Sequence, residues 1–315
     1  MSGTGSSDAQ RLAERFDPFH DPYLADPYPF FPEARAATPV FYSPDLEYWV
    51  VTRYHEMRQI FQTPQVFSAA NTLAPLQPIC PAAGHLLAEG GFRPGRLLTD
   101  NDPPGHTRVR RLANVAFTPQ RVAAMEPLVR ELTARFVEKR LSSGRADRVR
   151  DLAWELPARV IFRVFGVLDE EVARVKAGAE SWLLLMWGRP TADEQIRLAQ
   201  GLAAFWQYAE TLVASRAEHP RDDFTSDLLL ARDGDVPALT HQEVTQFLPG
   251  LLFAGHETTT GLIGSAMRRL LSKRHAWEEL SARLPSLRVV PGQTLRFQPN
   301  TSFRGPLSLL VEWDT

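Results

Sequence analysis

FLPGLLFAGHETTTG, residues Phe247 to Gly261, is apolar in its first half and abruptly polar in its second. Because the apolar half has no polar face, it predicts a helix buried on all sides rather than an amphipathic surface helix. The run is too short to cross a bilayer. Glycine and threonine are weak helix formers, and a threonine hydroxyl can bond to the carbonyl four residues earlier and bend a helix. The stretch therefore predicts a buried helix with a local distortion in its polar half.

The sequence also predicts where this helix begins and how far it extends. Thr240 is followed three residues later by Glu243, which is the spacing of a capping box, so we expect the helix to begin there. The apolar pattern continues to Leu271. Pro249 lies inside the pattern and should remove one backbone hydrogen bond and kink the helix. The sequence predicts one long helix over at least residues 247–271.

The hexapeptide AGHETT at residues 254–259 resembles the pattern in the long central helix of cytochromes P-450, the haem-thiolate monooxygenases. The resemblance implies that this helix crosses the distal face of a haem. It also implies that Ala254 and Gly255 leave room for dioxygen and that Glu257 and Thr258 relay protons to it. The alternative is a buried helix whose threonines merely bond to the backbone, because short motifs recur by chance.

A second motif, DPPGHTRVRR at residues 102–111, supports the same family. Two prolines are typical of a helix start, and His106 and Arg110 are four apart, hence neighbours on one helix face. In the P-450 family, a His and an Arg at this spacing hold a haem propionate, a carboxylate that needs charge-assisted donors when buried. The alternative is a solvated basic helix start, since Arg108 and Arg111 are also present. The central-helix motif downstream favours the propionate role.

Composition limits the other classes of function. The chain has 315 residues, a formal net charge of −2 and 44% hydrophobic residues, enough for a large core. The near-neutral charge gives no support for nucleic-acid binding. The N-terminal residues lack the features of a signal peptide and no apolar run reaches spanning length, so we expect a cytoplasmic protein without a membrane segment. Cys80 is the single cysteine, which excludes an internal disulfide and a multi-cysteine metal site.

The pattern of apolar and polar residues along the chain predicts a mainly α-helical fold with a small β region. Residues 1–40 are rich in proline and look irregular, Phe41–Thr52 has the pattern of a hairpin, and Arg53–Gln62 has helical spacing. Residues 71–96 predict a long irregular loop, which by resemblance covers the substrate pocket. Residues 122–253 are helical in pattern, and the apolar patch around Trp182 to Trp187 is interpreted as core.

The segment that should follow the central helix in this family is absent. The family places a Glu-x-x-Arg motif and then a loop with the haem-ligand cysteine after that helix, but no cysteine follows Cys80. The tail after residue 283 resembles the C-terminal β-structure of the family, with a substrate-contacting turn near Asn300–Phe303. The Glu-x-x-Arg sequences that do occur all precede the central helix and are chance matches: Glu171–Arg174, Glu194–Arg197 and Glu218–Arg221.

These observations predict a single P-450-like domain over residues 1–315 that lacks an internal block, with the seam at about residues 273–283. A thiolate ligand pushes electron density onto haem iron and favours cleavage of the O–O bond. We interpret Cys80 as an incidental loop thiol, so we expect that the chain forms no stable haem-thiolate complex.

Three functions are compatible with the sequence. The first is a monooxygenase that oxidises a small apolar molecule with electrons from ferredoxin- and reductase-type partners, present here in an inactive, deleted form. The second is a haem-free P-450-like binding or activator protein, and the third is a non-functional remnant. An activator has no use for oxygen chemistry or propionate donors, yet both motifs are intact. That favours recent loss from a working monooxygenase.

Overall fold

The computed structural model describes residues 5–96, 98–116, 118–141, 144–233, 235–280, 288–294, 296 and 306–312. These residues are mainly helical, as the sequence predicts. A π-helical turn at Val149–Ala153 and a 3-10 turn at Asp169–Glu171 separate some of the helices. The helices in chain order are α1 (Gly5–Arg15), α2 (Phe30–Ala37), α3 (Tyr54–Gln62), α4 (Pro81–Glu89), α5 (Gly105–Ala116), α6 (Pro119–Ala124), α7 (Glu126–Leu141), α8 (Leu156–Val164), α9 (Val172–Trp187), α10 (Ala192–Glu218), α11 (Phe224–Leu230), α12 (His241–Ser272) and α13 (Arg274–Leu280).

The β-structure consists of three small antiparallel sheets. The predicted N-terminal hairpin is present, with β1 paired to β2 in a register that joins Val40 to Val51. A second sheet has the order β3-β7-β6, so a strand before α8 pairs with the C-terminal strands. The third is the pair β4 and β5 before α12. The strands are β1 (Val40–Ser43), β2 (Tyr48–Val51), β3 (Arg145–Asp147), β4 (Arg232–Asp233), β5 (Val236–Pro237), β6 (Arg288–Val289) and β7 (Leu310–Glu312).

Helix α12 is the longest element and runs without interruption through Pro249. Its start is the predicted capping box. The Thr240 hydroxyl accepts from the Glu243 amide at 3.1 Å, and the Glu243 carboxylate accepts from the Thr240 amide at 2.8 Å. The reciprocal bonds satisfy two amides at the helix start. The single-helix prediction for residues 247–271 is confirmed.

The main core lies between α8, α9, α10 and α12. Phe162 of α8, Leu202 and Trp206 of α10, and Leu248 and Leu252 of α12 are all at most 1% exposed. The apolar patch of α9 also belongs to this core, because Leu183 and Met186 are buried in it. Full burial of one such side chain stabilises the fold by roughly 1.5–3 kcal/mol. Because α12 packs against α8, α9 and α10, most of its first half is buried, apart from its first turn and the side that carries Ala254.

Two predictions about irregular segments were wrong. Residues 1–40 contain α1 and α2, and the supposed long loop at residues 71–96 contains α4. In α4, Pro81 occupies the first turn, where its missing N–H costs nothing, and Ala83 and Leu87 are buried against α10. Packing of these two side chains stabilises a helix that a proline- and glycine-rich sequence does not predict. The turn near residues 300–303 lies outside the described residues.

Across the described part of the chain, the model contains no helix that is both long and apolar enough to span a bilayer.

Candidate functional site

One face of α12 carries small side chains and is open. Gly250, Ala254, Thr258 and Leu262 follow each other at four-residue intervals, so they lie along one face. A Cβ added to Gly250 would meet no atom within 4 Å. Ala254 and Thr258 are exposed, and so is Leu262, at 67%. This face presents the hydroxyl of Thr258 between the small side chain of Ala254 and the exposed side chain of Leu262.

The hydroxyl of Thr258 bonds back along the helix, as the sequence predicts for a threonine in this place. Its Oγ1 donates to the carbonyl of Ala254 at 3.0 Å. The bond leaves the lone pairs of Oγ1 free to accept a proton from a neighbouring donor. The alternative, a threonine that merely bonds to the backbone, predicts the same bond, so the role of Thr258 in a proton relay remains a prediction.

Gly255 lies on a different side of α12, against α8. A Cβ at this position would overlap Cγ1 of Ile161. The two helices therefore approach closely at this residue, and glycine is the side chain that permits it. Its role in leaving room for dioxygen remains a prediction. Its contact with Ile161 is what the structure shows.

Glu257 lies in a buried charge cluster. Its Oε1 is 3.3 Å from Nζ of Lys176 on α9 and 3.0 Å from Nε2 of His256. Nε2 of His256 has no hydrogen-bond partner among the described residues, so its position beside Oε1 of Glu257 is a close contact without hydrogen-bond geometry. Burial alone would raise the pKa of Glu257, but the contacts with His256 and Lys176 bring it below the usual range. The carboxylate is held ionised, one residue before Thr258.

His106 and Arg110 lie on α5, separated by one helical turn. His106 is half-buried and Arg110 is exposed, and no ion pair of Arg110 is found within the described ranges. Between them, Arg108 pairs with Glu243 and donates to the carbonyl of Ala238 at 2.9 Å. Arg108 thus ties α5 to the start of α12. That His106 and Arg110 face the same cavity as Thr258 remains a prediction.

Asp102 fixes the chain just before α5. Its carboxylate accepts from the Ser68 hydroxyl and, at 2.9 Å, from the Ala69 amide. The Ser68 hydrogen bond is the main cause that lowers the pKa of Asp102. The His106 amide donates to the Asp102 carbonyl at 3.0 Å. The segment before α5 is therefore anchored next to His106, which lies in the first turn of that helix.

Aromatic rings fill the space between α9, α12 and the segment after α4. Trp182 and Trp187 of α9 lie 6.2 and 5.7 Å from the ring of Phe253, and Phe92 meets Trp182 edge-on at 6.1 Å. The indole N–H of Trp187 donates to the carbonyl of Thr72 at 3.2 Å. These rings pack together as part of the apolar core beside α12.

Cys80 lies at the junction of α4 and α10. Its amide donates to Oε1 of Gln195 at 2.7 Å, and its Sγ is 3.8 Å from the carbonyl of Ala192. The segment before Cys80 is held against α9, because the Leu76 amide donates to the carbonyl of Met186 at 2.7 Å. A haem-thiolate centre needs a sulfur ligand that is free to reach iron. The chain's single thiol is fixed at α10 and does not meet this requirement.

Lys176 of the charge cluster was missed from the sequence, and so was Trp154, whose ring centroid lies 4.6 Å from Nζ of Lys176. Lys176 is one lysine in the apolar helix VARVKAGAESWLLLMW. It lies one turn before the buried Ala179 and one turn after the buried Val172. Helical spacing in the sequence could therefore have predicted that Lys176 lies on the buried face. No sequence pattern links it to Glu257, which is 81 positions away.

Comparisons with known proteins agree on one family. The family model described as "Cytochrome P450" matches residues 84–282, more than half of the chain. Cytochrome P450 monooxygenase PikC of Streptomyces venezuelae is 30% identical over 283 residues, which are 88% of this chain and 64% of that protein. Putative cytochrome P450 123 of Mycobacterium tuberculosis is 31% identical over 252 residues, 80% of this chain and 60% of that protein.

The solved structures show the same fold. Cytochrome P450 CREJ in complex with (4-ethylphenyl) dihydrogen phosphate superposes with a TM-score of 0.89 at 27% identity, covering 95% of this chain and 99% of that one. The P450 haem domain of Tepidiphilus thermophilus gives 0.85 at 27% identity, covering 97% and 98%. By sequence, the chain spans 60% to 65% of the length of the curated relatives that it matches. Those relatives contain residues that this chain lacks.

Proposed function

Because the chain belongs to the cytochrome P450 family, we propose that it carries the distal half of a haem-thiolate monooxygenase site. The reaction of that site is the insertion of one oxygen atom of dioxygen into a small apolar molecule. The observation that carries the proposal is the side of α12 where Ala254 leaves space and Thr258 adds a hydroxyl, with the ionised Glu257 at the preceding position of the helix.

Each residue has a role that its chemistry supports. Thr258 can accept and donate a proton at Oγ1, and Glu257 supplies a carboxylate that can carry one toward it. When bound, haem would supply the activation of dioxygen. Ala254 keeps the face free of bulk, and Gly255 allows α12 to lie close against α8.

His106 and Arg110 are the proposed ligands of a haem propionate. They are neighbours on α5, and the exposed guanidinium of Arg110 has the fork of donors that matches a carboxylate. The contacts of Arg108 with Glu243 and Ala238 hold α5 against the start of α12. The alternative, a solvated basic helix start, predicts that Arg110 can be replaced without effect on cofactor affinity.

The proposed substrate is a small apolar molecule, as the family resemblance implies. One relative is described as a vitamin D(3) 25-hydroxylase from Pseudonocardia autotrophica, at 28% identity. Electrons are proposed to come from separate ferredoxin- and reductase-type proteins. This part of the proposal rests on the family resemblance.

An internal block is proposed to be absent from this chain, near residues 273–283. The family match ends at residue 282, inside the proposed seam. The structural superposition nevertheless covers 99% of the CREJ chain. That coverage is consistent with extra residues of CREJ that lie inside the superposed span rather than at its ends. The ligand cysteine is then missing, and we expect the chain to form no stable haem-thiolate complex.

The test is to add haem to the purified chain, reduce it, expose it to carbon monoxide and record the absorption spectrum. We expect a spectrum of free or imidazole-ligated haem that Cys80→Ser leaves unchanged. A strong Soret band at the thiolate position that Cys80→Ser abolishes would contradict the proposed absence of a thiolate ligand.

A haem titration tests the propionate ligands. Arg110→Gln should weaken haem binding about tenfold, as expected for loss of a charge-assisted hydrogen bond. Arg111→Gln, at the next position of α5, is the matched control and should leave the affinity unchanged. Equal affinities of the two variants would favour the solvated basic helix start.

A further inference from the structure

A cleft of about 520 Å³ lies between the C-terminal half of α10, the start of α9 and the turn that joins α8 to α9. Sites for small organic molecules typically have volumes of roughly 300–1,000 Å³. No residue of α5 or α12 lines this cleft, so it is separate from the proposed haem site. It is large enough to hold a small organic ligand.

Arg216 is a buried residue that lines the cleft. Its side chain is 5% exposed, its Nε donates to the carboxylate of Asp223, and its Nη2 donates to the Gly166 carbonyl at 2.8 Å. Nη1 has no hydrogen-bond partner within the described ranges. Because the other two nitrogens are occupied, Nη1 is the donor that this guanidinium can offer to a ligand in the cleft.

The backbone around Arg216 holds its guanidinium in a fixed position. Gly166 has a φ of +81°, and a Cβ at this residue would overlap Oδ2 of Asp223 and Nη2 of Arg216. Asp223 in turn accepts from the amide and the hydroxyl of Ser226, both at 2.9 Å. A ligand therefore does not have to immobilise this arginine, which lowers the entropic cost of binding.

The hydroxyl of Tyr208 is a second donor at the cleft. Tyr208 is half-buried, and the guanidinium carbon of Arg174 lies 4.9 Å from its ring centroid. Burial, together with the nearby Glu171 carboxylate, raises the pKa of Tyr208 to about 12. The phenol therefore keeps its proton at neutral pH and can donate it. In the part of the chain that the structure describes, this hydroxyl makes no hydrogen bond.

Positive charge exceeds negative charge at the cleft. Arg174, Arg216 and Arg221 line it. Arg174 is paired with Glu171 and Arg216 with Asp223, so each of these two charges is compensated. Arg221 is exposed, and its guanidinium has no ion pair among the described residues. The cleft therefore has one uncompensated positive charge beside the two unused donors.

We propose that this cleft binds the carboxylate of a small organic acid through Arg221, Nη1 of Arg216 and the hydroxyl of Tyr208. One uncompensated charge matches a monoanion, and the planar guanidinium matches a planar carboxylate. Leu168, which is 49% exposed, and Leu212 line the same cleft and give the rest of the acid an apolar surface. The proposal is independent of haem and of the proposed monooxygenase site.

Benzoate is the probe of this cleft, and benzamide, a neutral molecule of the same shape, is the matched ligand control. Tyrosine labelled with ¹³C at Cζ reports hydrogen bonding of the phenol, and Tyr208→Phe assigns the Tyr208 resonance among the six tyrosines of the chain. We expect benzoate to shift this resonance saturably and benzamide to leave it in place. No shift with benzoate, or equal shifts with both ligands, would overturn the proposal.

Calorimetric titration with benzoate tests the residues. Arg221→Gln should weaken binding about tenfold, as expected for loss of a charge-assisted hydrogen bond, and Tyr208→Phe about threefold to tenfold. Arg58→Gln removes the same charge from α3, which does not line the cleft, and should leave the affinity unchanged. Equal weakening by the two arginine variants would show that net charge attracts benzoate, against the proposal. Arg216→Gln is avoided because it also breaks the pair with Asp223.

Inorganic phosphate distinguishes a carboxylate site from a phosphate site. We expect phosphate to bind more weakly than benzoate, because it has no apolar part to contact Leu168 and Leu212. If phosphate binds and benzoate does not, the cleft takes a tetrahedral oxyanion and its assignment to a carboxylic acid is overturned.

Discussion

Two glycines of α12 should respond in opposite directions to the same substitution. Alanine is preferred over glycine in a helix interior by about 1 kcal/mol, so Gly250→Ala, whose Cβ meets no atom within 4 Å, should stabilise the fold by about that amount. Gly255→Ala gains the same helix preference, but its Cβ overlaps Ile161. Overpacking of a core costs about 1–3 kcal/mol. The two variants should therefore differ by about 1–3 kcal/mol in free energy of unfolding.

Urea denaturation measures both variants against the wild type, with equal slopes required for a comparison of midpoints. A double-mutant cycle identifies the cause. Ile161→Ala removes the obstructing atom, so in that background Gly255→Ala should lose its penalty and become stabilising, like Gly250→Ala. If Gly255→Ala and Gly250→Ala change stability equally, or if Ile161→Ala does not alter the effect of Gly255→Ala, the close approach of α12 and α8 at this residue is refuted.

Three further outcomes test the surroundings of α12. Thr240→Ala should cost about 1 kcal/mol in unfolding free energy through loss of the cap, and Thr240→Ser should cost little; equal losses would exclude the hydroxyl as the cause. Arg108→Ala should lower the unfolding free energy by no more than about 1 kcal/mol, because the ion pair of Arg108 with Glu243 is partly exposed. A larger loss, measured by thermal or urea unfolding, would show that the hydrogen bond to the Ala238 carbonyl dominates. Glu257 has a pKa below its ordinary 4.5, so its contacts stabilise the fold above that pH and are lost as pH falls below it. The stability difference between wild type and Glu257→Gln should shrink over that acidic range, and a difference independent of pH would contradict the ionised contact.

The sequence predicted the helices that have strong local signals. The capping box of Thr240 and Glu243, the apolar run of α12 and the back-bonded Thr258 all involve residues within four positions of each other. Interactions at such separations are governed by helix geometry, so they can be read before the fold is known. The hairpin of β1 and β2 was predicted for the same reason.

Helix α4 shows where this reasoning fails. Its local sequence, with Pro81 and Gly84 among small residues, favours a loop, and its stability comes from the burial of Ala83 and Leu87 against α10, more than 100 positions later in the chain. Packing against a distant element overrides weak local preference. No periodicity within residues 71–96 carries that information.

By itself, the sequence determined the family motif, the position of Glu257 and Thr258 on one helix, and the presence of a single cysteine. The tertiary structure decided that Lys176 and His256 surround the Glu257 carboxylate, that Gly255 faces Ile161 and that Cys80 is fixed at α10. The physical reason is the range of the interactions. Helix caps and periodic faces form between near neighbours in the chain, whereas the charge cluster requires α9 and α12 to pack together before Lys176 can reach a carboxylate 81 positions away.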